Sequence, residues 1–362
     1  MNKKHFLLIA LFGLFLTSCS KEEIPIQPDI SRTIIVYMAA DNDLSDDALN
    51  DLEEIKQSYT GSSINLNLNF VVFADLLNET PFLLKINNKS SEIIQTYPEL
   101  NSADPMELRN ILSEIIEMYP ADELGLILWS HGTSWLPAGS SLRSFGEDKG
   151  KQMNITDLAE NLPAKFDFII FDACLMGSVE VAYELKDKTD YIIASSTETI
   201  FEGFPYNRII PELLQPTINL QSIAQHYYNY YNAQKYAYRS ATIAVIDTEQ
   251  LTGLAEAMKQ IVTENNINLL FDRQSVQRLD TYSEQYVFDL SDFVRKAYPD
   301  ADTQFFIQKL NRSILYKNST PLFLSMYEIK TYCGLGCYIP HPDRNDLNAF
   351  YKTLQWYKDT ND

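Results

Sequence analysis

The sequence is poor in the residues that bind transition metals or cross-link an exported chain. Four cysteines and four histidines are scattered over 362 positions. No Cys-x-x-Cys pair occurs and the histidines do not cluster, so no metal site is assigned. Positive charge is scarce as well, with 29 Lys+Arg against 49 Asp+Glu and a formal net charge of −20. Phosphate backbones attract basic patches, so nucleic acid is excluded as a partner, and the field suits small or cationic ones. There is no EF-hand spacing, and the acidic clusters by themselves leave calcium undetermined. Internal repeats and low-complexity tracts are missing, as are apolar runs of the about 20 residues a spanning helix needs. What remains is globular: 45% hydrophobic, 22% charged, with 22 Tyr and 19 Phe to fill a core. This length fits one large core with an appended part, or two domains.

The first residues read as an address. Lys3 and Lys4 precede the short apolar run Phe6–Leu16, then Leu16-Thr17-Ser18-Cys19. A basic start, a short apolar stretch and small residues before a cut describe a secretory signal. A Cys directly after Leu-x-Ser resembles the lipobox of bacterial lipoproteins, which makes Cys19 the expected lipidation site and residues 1–18 the signal peptide. Residues 19–30, with Pro25 and Pro28, read as a tether. The expected location is the cell envelope, anchored by lipid to the outer membrane or cell surface. Removal of Cys19 to a lipid leaves Cys174, Cys333 and Cys337, and an odd count leaves a thiol unpaired.

Along the body of the chain, β-branched apolar runs alternate with helical patterns. Thr33–Met38, Leu66–Ala74, Leu124–Trp129, Phe166–Phe171, Tyr191–Ser195 and Ala241–Ile246 read as strands, and Phe82–Ile86 with Ile93–Tyr97 as a hairpin. A helix is expected to start at Ser45 or Asp46. Asp104-Pro105-Met106-Glu107 has an acidic cap, Pro at the first position and Glu three residues after the cap, which starts a second helix. Strand–helix alternation implies an α/β fold with a mostly parallel sheet and helices on both faces. Beyond about residue 250 the pattern turns mainly helical, giving a core over 31–250 and a smaller C-terminal part over 251–362.

Ligands of such sheets gather beyond the carboxyl ends of the strands. There, Leu126–Trp129 runs into Ser130-His131-Gly132, and Phe168–Phe171 runs into Asp172-Ala173-Cys174. If these strands are neighbours, an imidazole stands beside a thiol at one edge. A thiolate is the nucleophile and a nearby His takes its proton. Gly132 permits close backbone approach, so its N–H and that of Cys174 are candidates for holding an oxyanion. A helix expected from Ser178 to Leu185 would lower the Cys174 pKa through its dipole. Asp41, Asn42 and Asp43 also lie beyond a strand end, where helix capping outweighs catalysis.

The segments VYMAADNDLSDDALNDLEEI (36–55), LGLILWSHGTSW (124–135), FDFIIFDACLMGSVEVAYEL (166–185) and SSTETIFEGFPY (195–206) together resemble the clostripain family of cysteine peptidases. The resemblance implies a caspase-like α/β/α sandwich and cleavage of proteins after Arg, in some members Lys. It implies that His131 is the base, Cys174 the nucleophile and Asp172 the acid on the floor of the S1 pocket. Glu202 lies where a second S1 acid would be placed. Some relatives cut themselves between the His and Cys strands, which points to Arg143, Lys149 and Lys151 in the 138–152 loop. Two departures stand out: Thr133-Ser134-Trp135 where many relatives carry more glycine, and Cys333-x-x-x-Cys337, expected to be two free thiols. The expected protein is therefore a monomeric lipoprotein endopeptidase for basic P1 substrates. The competing expectation is a catalytically silent binding protein with the same fold.

Overall fold

The computed structural model describes residues 31–59, 67–137, 145–268 and 270–361. Cys19, the signal, the whole tether and Arg143 lie outside them. No described helix is long and apolar enough to cross a membrane.

The centre is a nine-stranded sheet. Its strands are β1 (Arg32–Ala40), β2 (Leu68–Leu76), β3 (Phe82–Ile86), β4 (Ser91–Thr96), β5 (Glu123–Trp129), β6 (Phe166–Asp172), β7 (Thr189–Ala194), β8 (Thr242–Asp247) and β9 (Ile314–Ser319). The spatial order is β9-β8-β7-β6-β5-β1-β2-β3-β4. From β7 to β2 all neighbours are parallel. Antiparallel pairs finish both sides, β3 and β4 at one edge and β8 and β9 at the other. The strand expected over Ala241–Ile246 thus closes the parallel run rather than extending it.

β1 is buried along its whole length because both faces of the sheet are covered. Ile35, Tyr37 and Ala39 join one core, whereas Ile34, Val36 and Met38 join the other. Helices α1 (Ser45–Tyr59), α5 (Tyr206–Leu213) and α6 (Leu220–Asn232) supply Leu52, Ile209 and Tyr227 to the second core. The first core receives Leu112 of α2 (Pro105–Met118), Leu158 of α3 (Ile155–Asn161), Val181 of α4 (Val179–Glu184) and Leu254 of α7 (Leu251–Glu264). The result is the expected three-layer α/β/α sandwich. α2 starts as its sequence implies, with the Asp104 side chain accepting from the Met106 N–H at 2.8 Å. α1 also starts where expected, at Ser45, but the Ser45 hydroxyl accepts from the Leu77 N–H instead of capping its own helix.

Residues 251–361 add α8 (Leu290–Ala297), α9 (Gln304–Ser313), α10 (Asn345–Tyr351) and α11 (Gln355–Asn361), together with the edge strand β9 of the central sheet. Leu322–Phe323 and Tyr327–Glu328 pair with each other as a tight hairpin. Leu324 and Ser325 turn it with positive φ.

Candidate active site

β5 and β6 are adjacent and parallel, with Trp129 in register with Asp172. Two residues on, the same two strand ends carry His131 and Cys174, and both line a cavity of about 500 Å³ with Asp172, Glu198 and Tyr238. The register therefore brings together the imidazole, the thiol and the acid singled out in the sequence.

Cys174 is half-buried, and the loop after β7 holds its sulfur. The Thr199 N–H donates to Sγ at 3.2 Å, and the thiol lies 3.7 Å from the Thr199 carbonyl. Leu175, the next residue, has φ of 65°, the left-handed region a non-glycine residue adopts only when its surroundings impose it. The Leu175 and Gly177 N–H groups bond to the Thr197 and Ser195 carbonyls, which fixes that turn. Burial pushes the Cys174 thiol up to about 12, against the Thr199 N–H that lowers it and with the Glu198 and Asp172 charges adding to the rise. This corrects the expected lowering by a helix dipole. α4 has only six residues and begins at Val179, and desolvation of the thiol outweighs it.

Gly132 meets Cys174 closely: a Cβ there would lie 2.6 Å from the Cys174 carbonyl oxygen. The main-chain N–H groups of Gly132 and Cys174 bond to no other described residue, as an oxyanion site requires. The Thr133-Ser134-Trp135 segment is pinned rather than loose. Ser134 is fully buried with φ of 62°, its hydroxyl lies 2.7 Å from that of Ser178, and Trp135 packs on Tyr338 and Tyr351.

His131 does not hydrogen-bond to Cys174 among the described contacts; its Nε2 lies 2.7 Å from Asp43 Oδ1. Asp43, weighed as a cap, thus stands against the imidazole. Asn42 donates to the carbonyls of Ala39 and Glu147, and Asp41 takes part in a buried acidic cluster. The hairpin of Phe145–Asp148 and Lys151–Met153 buttresses the His131 end, with the Gly146 N–H on the His131 carbonyl and the Glu147 N–H on the Ser130 hydroxyl.

Asp172 is buried beneath the cavity. Its Oδ2 accepts from the Phe204 N–H and the Tyr206 hydroxyl, each at 3.0 Å. Burial raises its pKa, opposed by those two donors. Asp51, held by the Trp129 indole N–H at 2.8 Å, is also raised, first by burial and then by the Asp172 charge. Gly203 has φ of 56°, and a Cβ there would come 2.8 Å from the Asp172 carboxylate. Glu202 sits beside it, exposed and outside the cavity lining. The second acid that lines the cavity, beside Asp172, is Glu198, whose Oε1 accepts from the Thr281 N–H and hydroxyl.

Lys149 pairs with Asp41 at 2.8 Å and with Glu99, while Lys151 is exposed on the same hairpin. Cys333 and Cys337 are free and buried, as expected. Thr199, Gly203 and Tyr206 were missed by sequence reasoning. They lie within the 195–206 segment, but only their spatial return to Cys174 and Asp172 gives them a role.

The sequence model described as "Clostripain family" matches residues 36–361. Clostripain of Hathewaya histolytica is 30% identical over 224 residues, which cover 50% of this chain and 42% of that protein. The chain thus spans under half the length of that relative. An inactive zymogen C11 protease from Parabacteroides distasonis is 32% identical, with a TM-score of 0.81 over 92% of this chain and 99% of that one. A clostripain from Bacteroides thetaiotaomicron, solved with the peptide inhibitor BTN-VLTK-AOMK, is 34% identical, with a TM-score of 0.53 over 59% of this chain and 97% of that one. With the matched family model covering nearly all of the described sheet and its His131 and Cys174 strand ends, the chain belongs to the clostripain family, the C11 cysteine peptidases.

Proposed function

We propose that this protein is an endopeptidase that cleaves after arginine or lysine, with Cys174 as nucleophile and His131 as general base and acid. The reading rests on one observation: both residues open at the ends of neighbouring parallel strands onto a cavity with the Asp172 carboxylate beneath it. A P1 guanidinium or ammonium entering that cavity brings its own countercharge to a buried acid. The inhibitor carried by the Bacteroides relative, with its VLTK peptide, supports a cationic residue at that position.

The Cys174 sulfur attacks the scissile carbonyl carbon and its proton passes to His131. The tetrahedral oxyanion faces the Gly132 and Cys174 N–H groups. His131 returns the proton to the departing amine, leaving a thioester that water hydrolyses with His131 again as base. A thiol held at about 12 stays protonated at neutral pH, so proton transfer accompanies attack rather than preceding it. Asp43 positions the imidazole.

The existence of a zymogen among the relatives supports activation by cleavage, which we place in the 138–152 loop as self-cleavage. Arg143 is the preferred site, because cleavage after Lys149 must first break its ion pairs with Asp41 and Glu99. Cys19 carries the lipid that tethers the enzyme to the envelope.

The test is a fluorogenic peptide series differing only at P1 (Arg, Lys, Asp, Leu), read with and without a thiol-blocking reagent. Thiol-sensitive cleavage of Arg or Lys peptides above the others is expected. Cleavage that survives Cys174→Ala, or a preference for Asp or Leu, sinks the reading. No cleavage after trypsin nicking of the loop would favour the silent binding protein.

A further inference from the structure

The cavity beside Cys174 extends past the space above Asp172. Its far wall is apolar: Phe201 of the loop after β7, Ala237 and Tyr238 of the turn before β8, and Leu324 at the tip of the hairpin after β9. Tyr238 is 57% exposed and Phe201 74%, and Tyr236 and Met326 stand out into solvent from the same turn and the same hairpin. Large apolar side chains gathered in the open at the mouth of a cavity mark a surface that a ligand or partner covers.

The wall is braced although its parts lie far apart in sequence. The Ser240 hydroxyl donates to the Ala237 carbonyl at 2.7 Å and accepts from the Leu324 N–H at 2.6 Å, so one side chain joins the Tyr238 turn to the hairpin tip. The Ala241 N–H donates to the Thr320 hydroxyl at 3.0 Å, and the Thr320 N–H to the Ala241 carbonyl at 2.9 Å. Arg239 donates twice to Asn232 Oδ1, which ties the turn back to α6. Tyr238 and Leu324 are thus presented together on a fixed frame.

Strand order gives the cleft a direction. β5 leads into His131 and β6 into Cys174, and β7, β8 and β9 follow on the far side. β8 is antiparallel to β7 and pairs its Thr242 with Ser319 of β9, so the start of β8 and the end of β9 both emerge at the catalytic edge. On the peptidase reading, His131 protonates the departing amine. The leaving half of the substrate then lies towards β5, and the acyl half crosses towards β8 and β9. Neighbouring strands are about 4.8 Å apart, which sets the Tyr238 turn about 10 Å from the Cys174 strand. In an extended peptide the P1 and P3 side chains share a face and stand about 7 Å apart. P1 already lies on the acyl side of the sulfur and turns down towards Asp172. P3 then faces the same way and meets Tyr238 and Leu324, whereas P2 faces solvent.

We infer that Tyr238 and Leu324 form an apolar P3 subsite, so that preferred substrates carry a leucine- or phenylalanine-sized residue two positions before the scissile Arg or Lys. The inference rests on the peptidase reading and adds a second requirement to it. No Lys or Arg lines the cavity among the described residues, so an acidic residue at P3 gains no ion pair there and loses its hydration.

The test uses the full chain and two sets of fluorogenic Arg peptides, X-Gly-Arg and Gly-X-Arg, with X as Phe, Leu, Ala or Asp. Phe and Leu at P3 are expected to exceed Ala in kcat/KM about tenfold or more, the scale of burying one apolar side chain, and chiefly through KM. Asp should be the poorest, and the P2 set should be nearly flat. In Tyr238→Ala the Phe-to-Ala ratio at P3 should fall towards one, with Leu324→Asn as the second variant. A ratio of two substrates on one enzyme is not mimicked by partial misfolding. Thiol-sensitive Arg cleavage with a flat P3 set, an apolar preference confined to P2, or a P3 ratio that survives both variants would overturn this inference alone. Failure of every peptide, or cleavage that persists in Cys174→Ala, would overturn the peptidase reading and this inference with it.

Discussion

At the scale of single residues, the site turns on carboxylates whose surroundings oppose their charge. Asp172 is buried, and burial raises its pKa against the donors Phe204 and Tyr206. On the proposed reading, an ionised Asp172 binds a cationic P1 side chain and a protonated one does not. Affinity for Arg peptides should therefore be lost as pH falls through this raised value, well above the ordinary carboxylate pKa of about 3.9. We expect Asp172→Asn to lower kcat/KM on Arg peptides roughly 100-fold, the scale of an unpaired buried charge contact, and to spare Leu peptides. Initial rates across pH 4–8 for both proteins check this, and an acid limb that persists in Asp172→Asn would assign the limb to another group. His131, Cys174 and Asp172 are legible in the sequence because strand ends concentrate chemistry and each follows an unmistakable apolar run. The Thr199 N–H on the sulfur, the glycine against Asp172 and Asp43 on the imidazole are not legible, because each depends on where a loop returns in space.

At the scale of elements, the five parallel strands are readable because two-sided burial makes each a continuous apolar run. β9 is not: ILYKNS alternates half-buried and exposed positions at the sheet edge and follows α9 without a turn signal. Trp135 illustrates what the sequence conceals about loops. It lies four residues past His131, yet it packs against Tyr338, Phe350 and Tyr351 from the end of the chain's described part. Trp135→Ala should destabilise the fold by about 3–5 kcal/mol, the range for emptying an aromatic site in a core. Chemical denaturation checks it. A loss below about 1 kcal/mol would mean that the loop after His131 does not depend on the C-terminal helices.

At the scale of the whole molecule, the surplus of acids is partly internal. Burial raises Asp75, Glu180 and Asp280 each to about 7. Between the ordinary carboxylate value of about 4 and this raised value, the folded chain holds protons that the unfolded chain has released. Stability therefore falls as pH rises through that window, the reverse of common acid denaturation. Self-repulsion at a net charge of −20 acts in the same direction. At constant ionic strength, the unfolding midpoint should be higher at pH 5.5 than at pH 8. A midpoint that climbs over that interval would show these acids ionised in the native state.

The segment after Cys174 is also tied to residues made much later. The Tyr338 N–H donates to Glu180, the Tyr183 hydroxyl to Asp359, and the Gln355 N–H to Glu184. Together with Trp135 under Tyr338, these contacts mean that the supports of Cys174 and of His131 are both completed by residues 338–359. During synthesis, His131 and Cys174 leave the ribosome more than a hundred residues before those supports exist. A chain still being translated therefore carries Cys174 and His131 unbraced, and on the proposed reading it should not cut its own unfolded neighbours until residues 338–359 have joined the fold.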